Sequence, residues 1–284
     1  MEVIESVEQM QKVSEAFRMA GHIIALVPTM GFFHEGHLEL MRVGKRHSDK
    51  LIISIFVNPI QFGPTEDYDQ YPKDPEGDLE KARKVGADIV FMPSVQEMYP
   101  EGFQTKVKVE RVTQHLCGIS RPTHFDGVTT VVAKLFDITK PHLAIFGQKD
   151  YQQLTVISRM VSDLNMDIRI IGVHTVREPD GLAMSSRNSY LSPEERKSAL
   201  CIKKSLDLAD QMFREGEKNA SVIKEAIELL IRSHPFTEID YVTLCNPVTL
   251  EDIETLGDEN LLALAVRVGK TRLIDNCLLR KTSN

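Results

Sequence analysis

Several features that mark common classes of protein are missing from this chain of 284 residues. Its formal net charge of −7 provides no basic patch or arm for nucleic acid or for an anionic membrane. No apolar run approaches the roughly 18–20 residues of a membrane span. The acidic, amphipathic N-terminus also lacks the basic start and apolar core of a signal peptide. We therefore expect a cytoplasmic protein with neither a nucleic-acid nor a membrane partner.

Motifs for metals and redox cofactors are missing as well. The four cysteines lie far apart and form no C-x-x-C pair that could chelate a metal or act as a redox dithiol, so we expect free thiols: Cys117, Cys201, Cys245 and Cys277. No G-x-G-x-x-G fingerprint is present, which argues against a nicotinamide or flavin cofactor. An acidic protein that handles an anionic substrate must instead concentrate positive charge in a pocket.

Strand-like and helix-like segments alternate over the first 176 residues or so. The helical patterns include residues 76–85, with Gly86 placed to end a helix, and an apolar face from Val128 to Phe136. The strand candidates are HIIALV (22–27), KLIISIFV (50–57), ADIVFMP (87–93), HLAIFG (142–147) and DIRIIGVHTV (167–176). This alternation predicts an α/β fold with a doubly wound parallel sheet covered by helices, which is Rossmann-like.

The pattern changes beyond residue 176. Residues 192–213 open as a helix capped by Ser192 with Pro193 in the first turn, and a second helix follows over residues 221–234. Two strand candidates, 239–245 and 261–268, come next. We therefore expect two domains: residues 1–176 as the doubly wound domain, and residues 177–284 as a smaller α+β domain.

The segment VPTMGFFHEGH, residues 27–37, predicts a strand, a glycine-containing turn and a helix whose N-terminus carries His34 and His37. Helix N-termini favour anions, and ligands bind at the carboxyl ends of strands in open α/β sheets. Two histidines could instead bind a metal, or act only as a cap and a surface residue. However, H-E-G-H is not the zinc motif H-E-x-x-H, and no third ligand is evident, so we favour phosphate chemistry.

Two further motifs follow predicted strands. In FVNPIQF, residues 56–62, Asn58 and Gln61 offer amide groups suited to a small polar acid, although Asn-Pro is also a common turn signal. In FGQKDYQQL, residues 146–154, Gly147 permits close backbone approach, Lys149 offers a cation for phosphate oxygens, and Gln153 follows one helical turn later.

A last motif, MSSR at residues 184–187, follows an Asp180-Gly181 turn. Two hydroxyls and a guanidinium within four residues suit phosphate oxygens, and a loop at the predicted domain junction could close over a site. The alternative is an ordinary serine-rich linker with a solvated arginine.

Taken together, H-x-G-H after the first apolar strand and M-S-S-R after the last resemble the signatures of the nucleotidyltransferases related to class I aminoacyl-tRNA synthetases. Within that superfamily the chain closely resembles the pantothenate synthetases, or pantoate–β-alanine ligases. The stretches that carry the resemblance are PTMGFFHEGH, FVNPIQF, YPKD, RPTHFDGV, FGQKDYQQL and VREPDGLAMSSRN, between residues 28 and 188. One departure is Phe32-Phe33, where the family more often has a small residue and leucine, so the pocket floor is expected to differ.

The resemblance implies a ligase that uses ATP with Mg²⁺ and forms pantothenate from (R)-pantoate and β-alanine through pantoyl adenylate. It also implies a homodimer. His34, His37 and Lys149 would be catalytic, Gln61, Gln153 and Asn58 would bind pantoate or β-alanine, and no residue is assigned as a metal ligand. The implied ATP contacts are Met30, Gly31, Phe32, Phe33, His34, Glu35, Gly36, His37, Gly147, Gln148, Lys149, Asp150, Val176, Met184, Ser185, Ser186 and Arg187.

Two other functions are weighed against this one. A nucleotidyltransferase of the same superfamily that acts on a phosphorylated acceptor would release no AMP. A nucleotide- or RNA-binding module descended from a synthetase would not need the charged groups, yet the histidines, Lys149 and Arg187 are all present. The acidic net charge also argues against RNA.

Overall fold

The computed structural model describes residues 1–64 and 66–281. Nine strands are found in this part of the chain: β1 (Glu2–Ile4), β2 (Ile24–Thr29), β3 (Lys50–Ile55), β4 (Ile89–Phe91), β5 (Leu143–Gly147), β6 (Arg169–Val173), β7 (Thr237–Cys245), β8 (Glu259–Val268) and β9 (Thr271–Arg280). The α-helices in the same residues are α1 (Val7–Met19), α2 (Glu35–Arg46), α3 (Pro75–Val85), α4 (Val95–Met98), α5 (Cys117–Ser120), α6 (His124–Thr139), α7 (Tyr151–Asp163), α8 (Pro193–Ala199), α9 (Cys201–Arg214) and α10 (Ala220–Arg232). None of the described helices combines the length and apolar character needed to cross a bilayer.

The larger sheet has six parallel strands in the order β1-β4-β3-β2-β5-β6, which confirms the predicted doubly wound class. The chain runs outward from β2 through β3 and β4 on one side, and then through β5 and β6 on the other. The strand order therefore reverses between β2 and β5. Parallel sheets of this kind form a ligand crevice at such a reversal, beyond the carboxyl ends of the strands.

The four central strands, β2 to β5, are mostly buried on both faces, which explains their continuous apolar sequences. Along β2, Ile24 and Leu26 pack into the core beneath α1, α6 and α7, whereas Ala25 and Val27 face the core beneath α2 and α3. Side chains that alternate in direction along one strand thus pack into two separate cores.

The second sheet is an antiparallel meander, β7-β8-β9, which together with the larger sheet confirms the two-part α/β and α+β fold class. One of its faces packs against α9 and α10 in a separate core, and the other, through Leu261 and Ala263, joins the core of the larger sheet. The predicted helix over residues 192–213 is interrupted at Leu200, between α8 and α9. The Ser192 cap is confirmed, since its side chain accepts from the Glu195 N–H and Glu195 bonds back.

Candidate active site

A cavity of about 230 Å³ opens at the reversal point between β2 and β5. Its walls come from the ends of β2, β5 and β6, the start of α2, the 3₁₀ turn Pro59–Gln61, helix α6 and the segment Met184–Arg187. All four motifs selected from the sequence therefore contribute to one cavity, as their positions after parallel strands predicted.

The histidine wall, His34 and His37, is built by local hydrogen bonds at the start of α2. His34 is the N-cap, and its Nδ1 accepts from the Gly36 N–H at 3.1 Å. The His34 N–H in turn points to Nδ1 of His37 at 3.4 Å, and the two rings lie 4.1 Å apart. Because both Nδ1 atoms act as acceptors, each neutral ring carries its proton on Nε2. The histidines are therefore capping groups and cavity-lining donors at the same time.

Burial keeps these two imidazoles neutral. Desolvation, followed by the positive charge of Lys149, lowers the pKa of His34 to about 4. The pKa of His37 lies well below its ordinary value, through desolvation first and then the influence of His34 and Lys149. At neutral pH the histidine wall thus presents uncharged N–H donors.

The turn ahead of the histidines is held by a buried carboxylate. Asp78, on α3, accepts from the N–H groups of Phe32 at 2.7 Å and Phe33 at 2.6 Å. Gly31 has φ +85°, and a Cβ there would meet Asp78 Oδ2 at 3.0 Å. Phe33 is buried in the α2–α3 core, and neither Phe32 nor Phe33 lines the cavity.

The amide groups of the second motif form a connected network. Asn58 is 1% exposed, and its Nδ2 donates to Gln61 Oε1 at 3.0 Å and to the Gly127 carbonyl at 3.1 Å. Its Oδ1 accepts from the Tyr99 hydroxyl at 2.7 Å. The backbone of Gln61 lies so close to α6 that a Cβ on Gly127 would stand 2.6 Å from the Gln61 Cα. Glycine is therefore required there, and the network fixes Gln61 at the cavity edge.

Helix α6 supplies an apolar wall that sequence reasoning did not assign to the site. Val128, Val131, Val132 and Leu135 line the cavity, and Phe56 adds to them. The sequence showed this helical face but could not tell a cavity wall from ordinary core. A polar amide edge beside an apolar wall suits a small acid with an aliphatic body.

Lys149 and Arg187 form the cationic wall. Lys149 lies on the 3₁₀ turn Gln148–Asp150, and within the described residues no carboxylate oxygen lies within 4.0 Å of its Nζ. Arg187 makes two hydrogen bonds to Asp67, at 2.8 and 2.7 Å, and lies over the Tyr71 ring at 5.8 Å. The guanidinium is desolvated, but its pairing with Asp67 outweighs this and raises the pKa of Arg187. Arg187 therefore stays charged beside neutral histidines.

The M-S-S-R segment follows a tight hairpin and is not a flexible linker. Asp180-Gly181 forms the predicted turn, with φ +94° at Gly181, and Arg177 pairs with Ala183 across it. Ser185 caps the following 3₁₀ turn by accepting from the Arg187 N–H at 3.3 Å. Ser186 is buried, and its hydroxyl donates to the Phe32 carbonyl at 3.4 Å. The two signature segments thus touch each other.

Most of the site residues expected from the sequence line the cavity: Met30, His34, Gly36, His37, Asn58, Gln61, Gly147, Lys149, Asp150, Gln153, Val176, Met184, Ser185, Ser186 and Arg187. The lining does not include Gly31, Phe32, Phe33, Glu35 or Gln148. Of these, Glu35 pairs with Arg42 on the outside of α2. Sequence reasoning missed Tyr71 and the α6 wall, and also Asp67 and Asp78, whose roles depend on contacts between distant segments.

Comparison with known proteins finds one family that matches nearly the whole chain. The family model described as pantoate-β-alanine ligase matches residues 2–278. A pantothenate synthetase of Syntrophus aciditrophicus is 57% identical over 97% of this chain and 96% of its own, and one of Geobacter sulfurreducens is 54% identical over 98% and 99%.

Solved structures show the same similarity. Pantothenate synthetase of Thermus thermophilus has a TM-score of 0.94 and 41% identity, and the match covers 99% of this chain and 100% of that one. Pantoate-β-alanine ligase of Francisella tularensis, described as complexed with β-γ ATP and β-alanine, has a TM-score of 0.82 and 33% identity over 98% and 97%. This chain therefore belongs to the pantoate–β-alanine ligase family.

Proposed function

We propose that this ligase joins (R)-pantoate to β-alanine in two steps at the cavity described above. The pantoate carboxylate attacks the α-phosphate of ATP, which forms pantoyl adenylate and breaks the bond to pyrophosphate. The β-alanine amine then attacks the acyl carbon and displaces AMP. The observation that carries this proposal is that one cavity is lined by the histidine wall, by the cationic wall, and by amide groups beside the apolar face of α6.

ATP would bind along the start of α2 and the two cations. The α2 N-terminus, His34 and His37 supply N–H donors, while Lys149 and Arg187 supply positive charge for the phosphates. Donors fixed in a cavity stabilise charge that grows on the phosphate oxygens as the α-phosphorus becomes pentacoordinate. Of the nucleotide contacts expected from the sequence, those that line the cavity, including Gly147, Asp150, Val176 and Ser185, remain assigned to this subsite.

Pantoate would bind between the amides and helix α6. Gln61 and Gln153 would hold its hydroxyl and carboxylate oxygens, and the valines of α6 would contact its methyl groups. Both N–H donors of Asn58 are already used inside the protein. We therefore propose that Asn58 supports substrate binding chiefly by fixing Gln61.

The role of His37 follows from its protonation state. A ring with a pKa well below 6.5 carries no spare proton at neutral pH, so Nε2–H acts as a hydrogen-bond donor to the phosphates. Pyrophosphate leaves as an anion that needs charge stabilisation more than a proton. We propose that His34 and His37 stabilise charge and do not act as general acids.

Further expectations complete the proposal. ATP enters as its Mg²⁺ complex, because the metal offsets phosphate charge during attack by a carboxylate. Residues 1–176 and 177–284 act as two domains, and movement of the second with the M-S-S-R segment protects the adenylate from water.

We also propose a cytoplasmic homodimer. The family resemblance supports the dimer, and the unpaired thiols of Cys117, Cys201, Cys245 and Cys277 fit a reducing compartment.

Exchange of labelled pyrophosphate into ATP tests the proposal. We expect exchange that requires pantoate and proceeds without β-alanine, because adenylation is complete before the amine reacts. A folded protein that shows no pantoate-dependent exchange, while binding MgATP, would overturn the proposed reaction.

A further inference from the structure

The turn that presents Lys149 is held from the second sheet. Asn276, in the middle of β9, donates from Nδ2 to the carbonyl of Gln148 at 2.9 Å and to the carbonyl of Lys149 at 2.8 Å. Both carbonyls belong to the 3₁₀ turn Gln148–Asp150. A single side chain from the second sheet thus binds two consecutive peptide groups of the turn that carries the catalytic cation.

This turn has little local support. In the described residues, neither its own N-cap, Gly147, nor Asp150, the N-cap of α7, makes a side-chain capping hydrogen bond. Gly147 also has no neighbouring atom within 4 Å of the place where a Cβ would stand. Gly147 is held at the end of β5 by its pairing with Val173, but the three residues that follow have no side-chain cap. The position of Lys149 therefore depends on a contact from elsewhere in the chain.

The residue before Asn276 has a matching role on the opposite face of β9. Asp275 is 2% exposed and accepts from Arg177 at 2.6 and 3.1 Å, and Arg177 also donates to the Gly181 carbonyl at 3.1 Å. Successive side chains of a strand point to opposite faces. One strand can thus reach the Lys149 turn on one side and the hairpin before Met184–Arg187 on the other.

From these contacts we infer that Asn276 is a positioning residue for adenylation, which acts by fixing the peptide groups beside Lys149. The inference rests on the proposed role of Lys149. Both N–H donors of Asn276 are used on this turn, and they set where the Lys149 side chain leaves the backbone. A small displacement of a cation from the phosphates is sufficient to slow the reaction strongly.

Replacing Asn276 with leucine removes both donors, adds no charge and keeps a similar side-chain size. We expect Asn276→Leu to lower kcat for pantoate-dependent ATP–pyrophosphate exchange by about tenfold to a hundredfold, with the KM for β-alanine changed less than about twofold. If leucine does not fit, Asn276→Ala should show the same lowered kcat with the KM for β-alanine nearly unchanged. Unchanged kcat in both variants would refute the positioning role.

Asn260 provides a matched control on the adjacent strand β8. It is 1% exposed, and its Nδ2 also bridges two carbonyls, those of Gly257 at 3.1 Å and Leu279 at 3.4 Å, away from the cavity. Asn260→Leu should lower thermal stability but leave kcat per folded molecule unchanged. An equal loss of kcat in the Asn260 variant would show that Asn276 has only a general structural role.

Combining Asn276→Leu with Lys149→Ala separates this inference from the proposed function. If Asn276 acts through Lys149, the double variant should bind a non-hydrolysable ATP analogue as weakly as Lys149→Ala alone, and should exchange pyrophosphate no more slowly. Additive losses would contradict the inference. Full activity of Lys149→Ala alone would instead contradict the role that we propose for Lys149.

Discussion

The histidine wall and the cationic wall face the same cavity but are built in different ways. His34 and His37 are fixed by bonds within four residues of chain, at the start of one helix, and they are neutral. The turn of Lys149 and the side chain of Arg187 are instead held from far away, by Asn276 and Asp67, and the pairing with Asp67 keeps Arg187 charged. Hydrogen-bond donors of the histidine wall are thus preorganised locally, whereas the two cations are positioned by partners that the fold brings from elsewhere.

The largest expected effect comes from removing a donor of the histidine wall. His37→Ala should lower the rate of adenylation by about 10²–10³, because a fixed donor to the developing phosphate charge is lost. Rapid-quench measurement of adenylate formation reads this directly. His47→Ala, at the exposed end of the same helix, is the control and should react at the normal rate. Near-normal adenylation by His37→Ala would remove His37 from the mechanism.

Loss of the cation should be somewhat less severe. Lys149→Ala should lower kcat/KM for ATP by about tenfold to a hundredfold, because the α2 N-terminus and Arg187 still attract the phosphates. Steady-state kinetics should show a smaller change in the KM for β-alanine. Lys270→Ala, in the exposed turn between β8 and β9, is the matched control. A loss confined to β-alanine would contradict the assignment.

The neutral histidine wall should make the fold sensitive to acid. The pKa of His34 is about 4 in the folded protein and 6.5 ordinarily, so between these values the unfolded chain binds a proton that the folded chain does not. The free energy of unfolding therefore has its full value above pH 6.5. As the pH drops toward 4, proton uptake by His34 in the unfolded chain lowers it by about 1–3 kcal/mol. Urea titrations across this range should show a shallower pH dependence in His34→Asn.

His47→Asn serves as the matched control for that titration, because His47 is exposed at the end of α2. It should keep the wild-type pH dependence. Identical slopes for wild-type and His34→Asn protein would mean that the half-buried imidazole is not held neutral by the fold.

The cationic wall should respond to salt instead. Asp67→Asn removes one partner of the partly buried pair with Arg187, whose side chains are 22% and 30% exposed, and should lower the free energy of unfolding by about 1 kcal/mol. The loss should shrink at high ionic strength, because salt screens the pair in the wild-type protein. Urea titrations at low and high salt measure it. A loss that does not depend on salt would indicate a packing defect and not a lost charge pair.

The sequence predicted the locally built wall much better than the long-range one. The strand, turn and capped helix of VPTMGFFHEGH are set by apolar patterning and by neighbours along the chain, and the structure has them as expected. Strand β9 was not predicted, because Asp275 and Asn276 interrupt its apolar pattern. Those same two residues hold the Arg177 hairpin and the Lys149 turn. Likewise, no local pattern could pair Arg187 with Asp67, 120 residues away.

Oxygen labelling tests most directly whether the pantoate carboxylate attacks the α-phosphate. With pantoate carrying ¹⁸O in both carboxylate oxygens, one labelled oxygen should appear in AMP and none in pyrophosphate, because β-alanine cleaves the acyl–oxygen bond. Mass spectrometry of the two products reads the outcome. Unlabelled AMP, or label in an inorganic phosphate product, would contradict a pantoyl adenylate intermediate.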